Sequence, residues 1–179
     1  MCPYPLHPYV GPADILAAVR RDSRGRPFEP SAVREGEVYT FVVTVEGVLR
    51  LAPRRSEHVA CAGGAPVLGA GEITLVRAGG HWVAEEITNQ STGYCPDAEM
   101  SWPAVAAALE AAAVVHSGGF TSAFTFRWCD GCGALNVVRE QYYVCAMCDL
   151  DLPRRPVAQP HPCTISDSPA ANPPPSSTR

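Results

Sequence analysis

The chain has 179 residues, room for one domain with an appendage, and 14 basic against 18 acidic residues give it a formal net charge of −4. Every basic residue is arginine, which excludes lysine-based nucleophilic chemistry, and the acidic balance argues against a general nucleic-acid binder, which needs a basic field. No apolar run is long enough to span a membrane, and the opening Met-Cys-Pro-Tyr-Pro-Leu-His lacks the basic and apolar regions of a signal peptide, so the expectation is a cytoplasmic protein without membrane association.

Residues 1–11 read as an irregular arm rich in proline and aromatics. An α+β domain is expected over 12–117. It begins with a short helix from Pro12 to Arg21, with Ile15, Leu16 and Val19 on one face. Arg24-Gly-Arg-Pro-Phe-Glu-Pro30 reads as loop. Val38 to Val45 is rich in β-branched residues and predicts a strand, Glu46-Gly47 a turn, and Val48 to Leu51 a returning strand. Cys61-Ala-Gly-Gly-Ala65 reads as loop. Gly71 to Val76 and His81 to Thr88 flank Arg77-Ala-Gly-Gly80 and predict a second hairpin. Glu85 and Glu86, adjacent on that strand, should face opposite ways. Asn89 to Pro96 is a polar loop, with glycines at 69, 71 and 93 expected to allow tight turns around it. Trp102 to Val115 predicts a helix capped by Ser101, with Pro103 in its first turn and Val105, Leu109 and Ala112 or Ala113 on its apolar face. Together these segments predict one curved antiparallel sheet with one or two packed helices.

Ser117-Gly-Gly119 separates a second unit, expected over 118–152, which starts with a strand within Phe120 to Trp128. From Pro153 to Arg179 proline, serine and alanine dominate, and the segment reads as a disordered tail.

The strongest chemical signal lies in the second unit. Cys129-Asp-Gly-Cys132 is followed, after twelve residues, by Cys145-Ala-Met-Cys148. Each Cys-x-x-Cys pair can turn around one ion, and two pairs complete a tetrahedron of soft sulfur ligands, which suits Zn²⁺. Iron held as in rubredoxin is the metal alternative. Gly131 and Gly133 allow the backbone to curl so that amide N–H groups approach the sulfurs. Ala134 to Val138 can leave the first knuckle as a strand, and Gln141 to Val144 can lead into the second. Over about residues 124–150 this arrangement resembles a zinc ribbon. One structural zinc on Cys129, Cys132, Cys145 and Cys148 is therefore expected. A site closed by four thiolates has no open position, so it supplies folding energy rather than hydrolytic chemistry. Arg127, Trp128, Arg139, Tyr142 and Tyr143 could stack on nucleobases, but two arginines against four acids between Gly119 and Leu152 weigh against it.

Two further patterns occur in the first unit. His58, then Ala62-Gly-Gly-Ala-Pro-Val67, Ala70-Gly-Glu-Ile73 and Asn89-Gln-Ser-Thr-Gly-Tyr-Cys-Pro96, resemble a small β-rich domain of unassigned function found in bacterial, partly toxin-associated proteins. The resemblance covers about residues 38–115, and Thr92 and Gly93 stand where that pattern has Gly and His. It implies a domain boundary and no reaction. Read physically, Asn89, Gln90, Ser91 and Tyr94 can converge as a contact surface at the hairpin end, or simply cap and connect the backbone.

The same loop contains Cys95. If His58, His81 or His116 came within hydrogen-bond reach, with Glu72 or Asn89 orienting the ring, Cys95 or Cys61 could serve as a nucleophile. A second metal site on His58, Cys61 and Cys95 fits no simple knuckle pair. No phosphate-binding glycine loop or nucleophile elbow occurs. The sequence thus points first to a non-catalytic zinc-ribbon interaction or adaptor protein with a protein partner. A small enzyme built on Cys95 and a nucleic-acid module are the alternatives.

Overall fold

The computed structural model describes residues 4–20 and 23–156, so most of the Pro-rich tail lies outside the described residues. The element order is α1 (Ala13–Ala17), β1 (Arg26–Pro27), β2 (Val38–Val43), β3 (Leu49–Pro53), α2 (His58–Ala62), β4 (Gly69–Ala78), β5 (His81–Ile87), α3 (Ala98–Ala111), β6 (Val114–Val115), β7 (Thr125–Trp128) and β8 (Leu135–Val138). The first six strands form one sheet in the order β1-β3-β2-β4-β5-β6, and β7 and β8 form a separate ribbon.

Both expected hairpins are present, and β2 pairs with β4 to join them. Gly47 closes the first, and Gly79 and Gly80, both with positive φ, form the two-residue turn of the second. The sheet is antiparallel except at β6, which returns from α3 to lie parallel to β5. On one face Phe41, Ile73, Leu75 and Trp82 pack against Val105 and Leu109 of α3. On the other, Val42 and Ala70 pack against Val59 and Cys61 of α2 and against Tyr94. Burial on both faces explains why the strands carry so many apolar residues in succession.

Several local expectations are corrected. The first helix is shorter than expected, with no buried residue, because Ile15 and Leu16 face solvent. The stretch assigned to loop after Arg24 contains the edge strand β1, which Pro27 ends on the open side of the sheet. Cys61 lies on α2, not in a loop; the helix stops at Gly63, whose left-handed backbone makes its C-cap. Helix α3 starts at Ala98 because Asp97 Oδ1 accepts from the Glu99 N–H at 3.1 Å, so Ser101 and Pro103 lie inside it. The Ser101 hydroxyl donates back to Asp97 O at 2.7 Å. At its far end Val114 and Val115 leave the helix for β6. The register of β4 on β5 slips between Thr74 and Leu75, opposite Glu85. The resulting bulge breaks the alternation, so Glu85 and Glu86 are both exposed. Gly69 and Gly71 make room rather than turns: a Cβ on Gly71 would lie 1.8 Å from Thr88 O, and one on Gly69 2.5 Å from Val105 Cγ2.

Candidate metal centre and the seam behind it

β7 and β8 pair antiparallel from Thr125↔Val138 to Trp128↔Leu135, which brings the first knuckle to one end of the ribbon. The bridge between Val144 and Asp151 brings the second beside it. The two knuckles are built alike. Cys129 N–H donates to Ala134 O at 2.9 Å and Gly133 N–H to Cys129 O at 2.8 Å. Cys145 N–H donates to Leu150 O at 2.8 Å and Asp149 N–H to Cys145 O at 3.0 Å. Gly133 and Asp149 hold the same place in each turn and both have left-handed backbone, with φ of 70° and 58°. Gly131 serves differently: its bare Cα lets Leu150 lie across it, where a Cβ would meet Leu150 Cδ1 at 2.2 Å.

The four sulfurs all lie within 4.8 Å of one another. Cys129 and Cys148 Sγ are 3.5 Å apart, and Cys132 and Cys145 Sγ 3.6 Å apart. Four sulfurs around zinc at Zn–S of about 2.3 Å are about 3.8 Å apart, so the cluster fits one tetrahedral Zn²⁺. The Met147 N–H, 3.4 Å from Cys145 Sγ, pulls that thiol down to about 6. Asn136 Nδ2 lies 3.6 Å from the same sulfur. Cys148 is pushed up to about 12, because the Leu150 N–H that favours its thiolate is outweighed by its hydrogen bond with Cys132, by desolvation and by those with Cys129 and Cys145. A divalent cation among the four removes that conflict by neutralising half their formal charge. Among the described residues this is the one cluster of three or more metal-ligating side chains.

The residues expected to face a partner mostly face the interior. Asn89 is fully buried. Its Nδ2 donates to Pro96 O at 2.8 Å and to Phe124 O at 2.7 Å, and its Oδ1 accepts from Phe124 N–H at 2.7 Å. The amide thus serves the strand entering the ribbon as another strand's backbone would. Ser91 is buried with Oγ toward Tyr94 N–H, and Tyr94 is buried with its hydroxyl donating to Ala65 O at 2.7 Å. Of that loop quartet Gln90 alone stays exposed. Arg127 is buried as well: Nη1 bonds Asp97 Oδ2, Nε donates to Pro153 O at 3.1 Å and Nη2 to Arg154 O at 3.3 Å. Asn89, Ser91, Tyr94 and Arg127 are therefore internal seams, not contact residues. Arg139 and Tyr142 remain exposed.

The cysteine–histidine pairing does not form. Cys95 is buried, its thiol donates to Thr92 O at 3.4 Å, and burial pushes it up to about 12. His58 Nε2 lies 3.0 Å from Gly71 O. His116 accepts from Gly118 N–H at 3.2 Å and stacks edge-on against Trp102, and His81 is exposed at the hairpin end. Among the described residues no histidine hydrogen-bonds the sulfur of Cys95. Cys61 is likewise buried and pushed up to about 12, so burial disfavours the thiolate at both positions.

Sequence reasoning missed the seam because its signals are single polar residues whose partners, backbone groups or the Asp97 carboxylate, are distant in sequence. The one usable clue was an asparagine closely following a strand, in Glu86-Ile-Thr-Asn89.

Fold and site define an α+β domain carrying a C-terminal four-cysteine module of zinc-ribbon type. Compared with known proteins, the chain matches no family model, no curated protein and no solved structure.

Proposed function

We propose that this protein is a non-catalytic interaction or adaptor protein that presents its ribbon to a protein partner in the cytoplasm. One observation carries the reading. The most exposed large apolar side chains of the described residues are Met147 at 76% and Tyr142 at 69%, both on the ribbon, while the ribbon's base is fastened to the sheet domain by buried polar groups. Exposed apolar groups on a rigidly mounted module are what an interface requires. The closed tetrathiolate site supports a structural role for the metal. The buried thiols of Cys61 and Cys95 fit a reducing compartment. No helix among the described residues is long and apolar enough to cross a membrane.

The test is affinity capture from the source cells with wild type and Tyr142→Ser/Met147→Ser, both checked for stoichiometric zinc. Recovery of a defined protein by wild type and its loss with the double variant is the expected result. Equal recovery by both, or none by either, overturns the reading.

A further inference from the structure

The ribbon is electrically divided along its length. No basic residue occurs from Trp128 to Val138 or from Tyr143 to Pro153, the two stretches that carry the four cysteines. These stretches also carry Asp130, Asp149 and Asp151, all exposed. A tetrathiolate holding Zn²⁺ adds a formal −2. Among the described residues no arginine forms an ion pair with these three carboxylates. Arg127 is buried against Asp97, Arg139 follows β8 at the opposite end, and Arg154 lies over the Tyr143 ring at 5.1 Å. Arg155 is exposed next to it.

Apolar surface lies within this acidic field. Met147 is exposed between the second pair of cysteines, and Leu150, 53% exposed, lies across Gly131 and joins the two knuckles. A groove of about 350 Å³ runs from Ala146 and Asp149 along Val137 and Val144 to Tyr142, and Arg139 lines it at the Tyr142 end, away from Cys129 along the strands. It has room for one large side chain, and its metal end is acidic.

We propose that the metal end of the ribbon binds a cationic, apolar-anchored polypeptide segment. Arginine or lysine side chains of the partner meet Asp130, Asp149 and Asp151, and an aliphatic or aromatic residue enters the groove between Asp149 and Tyr142. Opposite potentials steer such a segment and select against acidic ones, while the apolar anchor supplies the contact area. This rests on the ribbon being the partner-binding surface. Nucleic acid is disfavoured by the same field, which repels phosphates.

Random twelve-residue peptides displayed against the zinc-loaded full chain test this. The variants are Tyr142→Ser/Met147→Ser and the charge triple Asp130→Asn/Asp149→Asn/Asp151→Asn. Asparagine keeps the size of aspartate and tolerates the left-handed backbone at 149. Enriched peptides should be net positive with an apolar residue and bind the triple variant about tenfold more weakly at low salt. Peptides that need Tyr142 and Met147 but are neutral or acidic, or bind the triple variant equally, overturn the cationic assignment and leave the interaction role. Absence of any peptide that depends on the ribbon overturns both.

Discussion

Arg127 and Asp97 form a buried ion pair that fastens the ribbon to the start of α3. Asp97 uses one oxygen for Arg127 and the other to cap the helix at Glu99 N–H. Breaking a buried pair from one side leaves a charge without its partner, which costs about 3–5 kcal/mol. Arg127→Met and Asp97→Asn should each lower the thermal midpoint strongly. The double variant should lose less than the sum of the two, measured by calorimetry in a double-mutant cycle.

Asn89→Leu keeps the volume of the side chain but leaves the Phe124 N–H and the carbonyls of Phe124 and Pro96 without it. Orphaned buried polar groups cost about 1–3 kcal/mol each, so the loss should reach about 3 kcal/mol. Amide hydrogen exchange at Phe124 should accelerate. Wild-type protection there would rule out the seam.

One zinc per chain should purify with the protein, and Cys132→Ser or Cys148→Ser should abolish stoichiometric binding. A chelator should then unfold the ribbon, because metal affinity and folding of such a site are one equilibrium. Elemental analysis and the environment of the ribbon tyrosines report this. Purification with disulfides among the four cysteines and no metal would refute it.

Much of this was legible from residue order alone. Alternating β-branched residues with Gly47 and Gly79-Gly80 between them fix both hairpins, because those turns need positive φ. The four cysteines are legible because ligand chemistry leaves few alternatives at that spacing. Cys61 and its helix were not: Cys61-Ala-Gly-Gly-Ala65 reads as loop, and the helix exists because Val59 and Cys61 bury against the sheet. The start of α3 misled for a related reason. Ser101 and Pro103 imitate an N-terminus, while the true cap is Asp97, whose carboxylate also meets Arg127.

Alkylation of the native, zinc-loaded protein should leave Cys61 and Cys95 unmodified. Both thiols are buried and pushed up to about 12, so almost no thiolate is present at neutral pH. Peptide-level mass spectrometry after iodoacetamide checks it. Fast native labelling of Cys95 would revive the cysteine-enzyme alternative.

His7 predicts a pH dependence. It is buried where its backbone bridges Val67, and its Nε2 has no hydrogen-bond partner among the described residues. Burial lowers it from 6.5 to about 4, with Asp97 opposing. Between about pH 6.5 and 4 the unfolded chain takes up a proton that the folded chain refuses. Stability from this residue is therefore full above 6.5, falls by about 3 kcal/mol as pH drops towards 4, and levels off below. His7→Leu should remove that part of the acid-induced decline in urea titrations. The slope due to His58, which burial also lowers, should remain.

The seam also sets an order of events during synthesis. Asn89 and Asp97 leave the ribosome 35 and 30 residues before Phe124 and Arg127. At about 5–20 residues per second the sheet domain waits a few seconds with Asn89 bonded only to Pro96 O and Asp97 only to its helix cap. A nascent chain that has reached only Ser117, where composition suggests a boundary, therefore still lacks the partners that Phe124 and Arg127 supply. Closure comes with the stalk of the ribbon.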